Sequence, residues 1–211
     1  MKPTTNSAKR GKNQRSKSAQ SGEIRIIGGQ WRGRKLKVHD KEGLRPTTDR
    51  LKETVFNWLM THTRDALVLD CFAGAGSLGF EAASRHAKQV YCIEKDKTAA
   101  SQLTSNVKLL GAQQQITVLQ GDFFTQQQIL NFQFDLIFID PPFNKGFMDK
   151  VVPYLIDHKL IATGALVYIE QETTSDFDLT TNAWSEQFEQ IKNKSAGQVS
   201  ATLYRFIGND A

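Results

Sequence analysis

The sequence predicts an α/β fold: a seven-stranded, mostly parallel sheet covered by helices on both faces, closed by an antiparallel pair and preceded by a small β-hairpin. Three observations carry that expectation. Five short apolar runs, at residues 66–69, 89–93, 116–119, 136–139 and 164–170, alternate with helical patterns at 77–87, 97–109 and 147–156. Strands alternating with helices imply right-handed crossovers and parallel pairing. A glycine-rich turn lies between the first run and the first of these helices. Two alternating segments, 184–191 and 198–207, follow the last run and are joined by a turn containing Lys, Asn, Ser and Gly, the pattern of an antiparallel pair.

The N-terminal segments are set apart by charge. Residues 1–37 hold eleven Lys and Arg against one acid, Glu23, whereas the remainder holds sixteen basic and twenty-one acidic residues. The pI of 9.2 therefore averages a basic arm and a mildly acidic body. Residues 1–22 carry Lys2, Lys9, Arg10, Lys12, Arg15 and Lys17 among Ser, Thr, Asn, Gln and Gly, with almost nothing to build a core. They are expected to be disordered in the free protein and suited to phosphate contact; a merely solubilising tail is the alternative. Residues 23–44 read as the hairpin. Ile24, Ile26 and Ile27 and later Leu36 and Val38 supply its apolar side, and Arg25, Trp31, Arg32, Arg34, Lys35 and Lys37 suit structured RNA. An edge hairpin whose charges only block aggregation fits the same pattern. The rest of the chain, residues 45–211, forms the main domain. Pro46 and Thr47 open a helical segment reaching residue 62, with Leu51, Val55, Trp58 and Leu59 at core spacing and Arg45 and Arg50 near its start.

Chemistry concentrates where strands end. The run at 66–69 leads into Asp70 and Phe72, then Gly74, Gly76 and Gly79. Glycines there permit a tight turn and a close approach of ligand to backbone, as in nucleotide-binding α/β units. The spacing alone also suits nicotinamide or flavin dinucleotides. Asp70, however, would repel a pyrophosphate and suits a cationic or amine-bearing ligand. The strand at 89–93 ends in Glu94, at the position that takes the ribose hydroxyls of an adenosine. The strand at 116–119 leads to Asp122 and Phe123, a carboxylate for an adenine amino group and a ring for its face. Each acid alone also reads as a solvated loop charge. Together, four successive strands ending in acid mark one edge of an open parallel sheet, where ligands bind.

The fourth acid opens Asp140-Pro141-Pro142-Phe143. Proline cannot donate to a sheet ladder and pushes the residue before it out of the helical region, so the strand stops there. The result is a stiff corner with a fixed carboxylate, backbone carbonyls and a flat ring, suited to the edge and face of an amine-bearing base. An acidic cap after a Pro-Pro turn is the plain alternative.

Composition excludes several classes. Cys71 and Cys92 lack metal or redox spacing and read as small core residues of a reduced cytosolic protein. His39, His62, His86 and His158 are scattered, so no metal site is expected. The apolar runs fall far short of a membrane span, and no apolar segment follows the basic start as a secretory signal requires.

These motifs resemble those of class I S-adenosylmethionine-dependent methyltransferases acting on exocyclic amines. More narrowly, Arg25-Ile26-Ile27-Gly28-Gly29, Arg32-Gly33-Arg34-Lys35-Leu36, Arg45-Pro46-Thr47-Thr48-Asp49-Arg50, Phe56-Asn57-Trp58-Leu59 and Tyr168-Ile169-Glu170 are similar to the bacterial RsmD family, the 16S ribosomal RNA guanine-N2 methyltransferases. The similarity spans residues 23–206. It implies a Rossmann-like sheet whose terminal hairpin distinguishes it from dinucleotide folds. It implies S-adenosylmethionine as cofactor, with S-adenosylhomocysteine as product and no metal, held by Asp70, Phe72, Gly74, Gly76, Glu94, Asp122 and Phe123. Asp140, Pro141, Pro142 and Phe143 would hold the target amine, and Arg25, Trp31, Arg32, Arg34, Lys35, Arg45 and Arg50 the RNA. The expected partner is 16S rRNA in an assembled or assembling small subunit, for a cytoplasmic monomer. A related subset carries Asn at the first tetrad position, which leaves open whether Asp140 also takes a proton. Amine methylation of DNA adenine or cytosine or of protein glutamine, a nicotinamide oxidoreductase, and a non-catalytic RNA-binding factor stand as alternatives.

Overall fold

The computed structural model describes residues 22–38, 49–142, 146–181 and 184–208. The basic extension, the end of the predicted hairpin segment, the start of the helical segment with Arg45 and Thr47, and Phe143 lie outside these residues. The hairpin consists of β1 (Glu23–Arg25) and β2 (Lys35–Lys37), antiparallel, with Ile24 and Leu36 inward and the charged neighbours outward. Between them Gly29–Trp31 makes a short 3-10 turn. Helix α1 (Asp49–Trp58) follows, burying Leu51, Val55 and Phe56 as its period requires.

The main sheet begins with β3 (Leu67–Asp70), then α2 (Ser77–Ser84), β4 (Gln89–Glu94), α3 (Lys97–Leu110), β5 (Ile116–Gln120) and β6 (Phe134–Ile139). Helix α4 (Met148–Asp157), β7 (Ile161–Glu172), β8 (Phe188–Ala196) and β9 (Val199–Phe206) complete it. The strand order is β5-β4-β3-β6-β7-β9-β8, with β3 to β7 parallel and β9 antiparallel to both of its neighbours. The predicted seven-stranded, mostly parallel sheet with an antiparallel close is therefore the observed one. One face packs against the hairpin, α1, α2 and α3; the other packs against α4 and the short turns after β5.

Several boundaries differ from expectation, three of them as follows. Helix α2 stops at Ser84 because His86 takes a left-handed conformation, φ 70°, that turns the chain into β4. Strand β7 starts three residues early, at Ile161. The polar stretch 192–195, read as the closing turn, is strand: β8 runs to Ala196 and the turn shrinks to Gly197 and Gln198. An edge strand exposed to water tolerates polar residues at successive positions, which erases the alternation used to find it.

The hairpin is fastened to the sheet by side chains that satisfy its unpaired backbone groups. The Ile27 N–H donates to Glu81 Oε2 at 2.8 Å, and Arg85 Nε donates to Oε1 at 2.8 Å. Ser84 Oγ donates to the Gly28 carbonyl at 2.6 Å and accepts from the Trp31 N–H at 3.0 Å. From α1, Lys52 Nζ reaches the Arg25 carbonyl at 2.5 Å; from α3, Asn106 Nδ2 reaches the Lys37 carbonyl at 2.8 Å. Gly29 sits at φ 74° against the Ser84 carbonyl, where a Cβ would collide. Glu81 and Lys52 are both buried, and each lies within the electrostatic reach of the other.

Removing one member of a buried, hydrogen-bonded ionic cluster leaves the others uncompensated, at roughly 3–5 kcal/mol. Glu81→Ala is expected to destabilise the fold by about that amount in urea denaturation, with Glu81→Gln intermediate; a loss below about 1 kcal/mol would show that the cluster does not fasten the hairpin.

Candidate active site

Because β3 to β7 run parallel, their C-terminal ends form one rim, and the predicted acids stand on it. Asp70 ends β3, Glu94 ends β4, Asp122 follows β5 by two residues and Asp140 follows β6 directly. Cross-strand register aligns Asp70 with Phe138 and Phe138 with Tyr168. Side chains alternate along a strand. Asp70, Asp140 and Glu170 therefore share the face of the sheet that carries α2 and the hairpin.

Asp70 is 2% exposed, and its Oδ2 accepts the Gly79 N–H at 3.1 Å. Loss of solvation pushes its pKa to about 7; the Glu94 charge adds to the rise and the Gly79 hydrogen bond opposes it. Gly79 lies so close that a Cβ would meet Cys92 Sγ and the Asp70 carboxylate, so helix and strand approach only through glycine. Burial pushes the Cys71 and Cys92 thiols up, consistent with inert core residues. Glu94 organises the turn: the Gly74 N–H donates to its Oε2 at 2.8 Å and the Asp96 N–H to its Oε1 at 2.6 Å. Each carboxylate oxygen keeps a further lone pair for a hydroxyl. Gly76, at φ 79°, turns the chain into α2, whose first residue, Ser77, is buried with no hydrogen-bond partner for its hydroxyl among the described residues.

At the β5 end, Asp122 accepts the Phe124 N–H at 3.1 Å and pairs with Lys95 at 2.8 Å. The Lys95 hydrogen bond holds its carboxyl below the usual range. Lys95 was not singled out from sequence, where a lone Lys after Glu94 carries no signal. Phe123 is placed differently from expectation. It is buried, tilted against Phe72 and edge to face with Phe124 and Tyr154, so it supports the rim from beneath, and the half-buried ring nearest the turn is Phe72, which also touches Phe147. At the Pro-Pro corner Asp140 is half-buried, Pro141 buried and Pro142 exposed. Loss of solvation, then the neighbouring Glu170 and Asp70 charges, pushes the Asp140 carboxyl well above the usual range. Glu170 is itself buried and accepts the Tyr168 hydroxyl at 2.9 Å.

On the hairpin, Arg25, Arg32, Arg34 and Lys35 are exposed, as is Arg50 on α1. Trp31 is half-buried against the core, so only part of its ring remains for stacking. Among the described residues no cluster of His, Cys, Asp and Glu is arranged to hold a metal, and no helix is long and apolar enough to cross a membrane. An acidic rim beside a glycine turn suits a ligand rich in hydroxyls, amines and positive charge.

The strand order with its terminal antiparallel pair, joined to this rim, places the chain in the methyltransferase class of α/β folds. The structure of a putative methyltransferase, yhhF, from Escherichia coli superposes with a TM-score of 0.76 at 41% identity, covering 89% of this chain and all of the other. The profile of the family described as Conserved hypothetical protein 95 matches residues 24–205. Ribosomal RNA small subunit methyltransferase D of Escherichia coli K12 is 43% identical over 187 residues, 88% of this chain and 91% of the relative. Its counterpart from Haemophilus influenzae is 45% identical over 188 residues, 87% and 94% of the two chains. The chain belongs to this ribosomal RNA small subunit methyltransferase D family.

An acid whose pKa rises on folding binds more protons when folded, so its stabilising contribution is present at low pH and lost as pH climbs through the folded value. For Asp70 the window runs from about 4 to about 7, and the effect is on the order of 4 kcal/mol. Asp70→Asn, which keeps an acceptor for Gly79, is expected to flatten the fall in unfolding free energy between pH 4.5 and 7. An unchanged slope would mean that Asp70 titrates normally.

Proposed function

We propose that this chain transfers a methyl group from S-adenosylmethionine to the N2 amine of a guanine in 16S ribosomal RNA. The observation that carries this reading is the meeting, on one rim, of the glycine turn with Glu94 and of the Asp140-Pro141-Pro142 corner. Two further points support it. The relatives carry the name of a small-subunit rRNA methyltransferase over most of their length. An RNA methyltransferase from Salinibacter ruber, solved with S-adenosyl-L-homocysteine, shares the fold at a TM-score of 0.61 and 16% identity.

The residues present fit that cofactor. Glu94 offers acceptors to the ribose hydroxyls, Asp122 an acceptor to the adenine amine, and Phe72 a ring beside the turn. The buried Ser77 hydroxyl, without a partner at the N-terminus of α2, is a donor where the amino-acid carboxylate would lie. Asp70, buried next to the turn, complements the ammonium. The cofactor supplies a methyl group on a sulfonium, which leaves as a neutral thioether. Asp140 and the Pro141 carbonyl accept the two hydrogens of the amine. They draw its nitrogen out of conjugation and stabilise the positive charge it gains as it attacks, and the proton that the methylated nitrogen then sheds passes to the Asp140 carboxylate. The stiff corner fixes this geometry in advance, so the rate gain is mostly positioning. Phe143 stacks on a base that has left its helix or loop. The hairpin cations Arg25, Arg32, Arg34 and Lys35, with Arg45, Arg50 and the part of the Trp31 ring left exposed, contact RNA. The basic segment 1–22 adds salt-sensitive affinity for phosphates.

Asp140→Ala is expected to lower kcat at least a thousandfold while the cofactor Kd, measured by calorimetry, stays within about threefold. Glu94→Ala should weaken cofactor binding by tenfold or more. Retained transfer in the first variant, or an unchanged Kd in the second, would overturn the assigned roles. Mapping methylated nucleotides in 16S rRNA from cells with and without the gene tests the substrate, and a modified adenine or cytosine would redirect it.

A further inference from the structure

Glu170 is the rim acid that the reaction so far leaves without a task. It lies on β7, one rung beyond the Ile139–Ile169 pair, and is therefore the cross-strand neighbour of Asp140. Side-chain alternation puts both on the face shared with Phe138 and Tyr168, whose rings meet edge to face at 6.0 Å. Glu170 is 4% exposed, and the Tyr168 hydroxyl, itself buried, donates to its Oε2 at 2.9 Å. Glu170 thus stands beside a second carboxylate, Asp140, on whose proton affinity both Glu170 and Asp70 act.

Base edges differ in what they bring. On the Watson–Crick edge, adenine and cytosine each place their amine next to a ring-nitrogen acceptor. Uracil has one imide N–H between two carbonyls. Guanine alone places a second donor, N1–H, beside its amine. Two adjacent carboxylates match that pair of donors and repel the lone pair that adenine or cytosine would present.

We infer that Glu170 reads the target base: its carboxylate accepts the guanine N1–H while the Asp140 corner holds the N2 amine. This rests on the reading of the site as a guanine-N2 methyltransferase and adds the residue that selects guanine. Tyr168 is the positioning residue, fixing Glu170 through Oε2. Burial first and the neighbouring Glu170 charge second raise the proton affinity of Asp140, so the two carboxylates act on each other.

The test uses small subunits reconstituted with 16S rRNA that carries guanine or 2-aminopurine at the mapped nucleotide. 2-Aminopurine keeps the exocyclic amine but has a lone pair at N1 and lacks O6. The wild-type enzyme is expected to prefer guanine by a hundredfold or more in kcat/KM, as sites built for a buried hydrogen bond do. Glu170→Gln, whose amide can donate to that lone pair, should shrink the preference at least tenfold, chiefly through loss on guanine, with the cofactor Kd within twofold. Discrimination that came from O6 would persist in this variant. Tyr168→Phe, which keeps both carboxylates, should lower the preference less and serves if Glu170→Gln does not fold. Equal use of both bases by the wild type, or a preference unchanged in the variants, overturns the role of Glu170 and leaves guanine methylation standing. Failure of the wild type to methylate guanine at all, with transfer to another base, overturns both.

Discussion

Asp70, Asp140 and Glu170 project onto one face of the sheet from three neighbouring strands, and the fold must hold them there against their own repulsion and their loss of water. The means are local and backbone-based. The Gly79 N–H answers Asp70, the Tyr168 hydroxyl answers Glu170, and the two prolines after Asp140 prevent the strand from continuing or relaxing into a helix. Remaining strain shows as raised proton affinity at Asp70 and Asp140. A rim built this way is preorganised for ligands that bring hydrogen-bond donors and positive charge, since the cost of dehydrating the acids is met during folding and not at the moment of reaction.

The same helix serves both ends of the site. The N-terminus of α2 emerges from the glycine turn, and Glu81 and Ser84 near its other end grip the hairpin backbone, with Arg85 just beyond the helix bonded to Glu81. Phe56 reinforces the grip, with the Arg85 guanidinium over its ring at 5.0 Å. The exposed cations of the hairpin are thus held at a fixed offset from the cofactor turn by one short rigid element. For a reaction that depends on aligning nitrogen, methyl and sulfur, a fixed offset between the proposed RNA-contacting cations and the turn has direct value.

Strand order and acid placement were readable from sequence because both follow from strong local signals. Apolar runs end where a carboxylate, glycine or proline makes continuation impossible, and parallel pairing then carries those ends to one edge. Asp70, Glu94, Asp122 and Asp140 stand where that argument puts them. What escaped was everything set by long-range partners. Lys52 and Glu81 look like ordinary helix-surface charges until the hairpin lies over them, and Phe123 looks like an exposed ring until Tyr154 and Phe72 close around it. The polar run at 192–195 defeated periodicity because an edge strand facing water has no buried face to mark. Glu170 appeared only as part of a resemblance, since nothing local reveals which residue will stand beside Asp140.

The fold alone does not separate this chain from dinucleotide enzymes, which share the glycine turn and the acid after the second strand. The separation lies in charge. A dinucleotide site sets a pyrophosphate against the helix N-terminus, and an anion there would sit within reach of Asp70, buried and already burdened by Glu94. A zwitterionic amino-acid tail on a cationic sulfonium would meet the same surroundings without conflict, its carboxylate directed toward the Ser77 hydroxyl and the helix end and its positive groups toward Asp70, as proposed above. The antiparallel β9 then completes the distinction, because it inserts between β7 and β8 and covers the flank of the strand that carries Glu170. Acid at the end of β3 and a closing hairpin beyond β7 are separate features of the chain, and both favour a donor of methyl groups over a carrier of hydride.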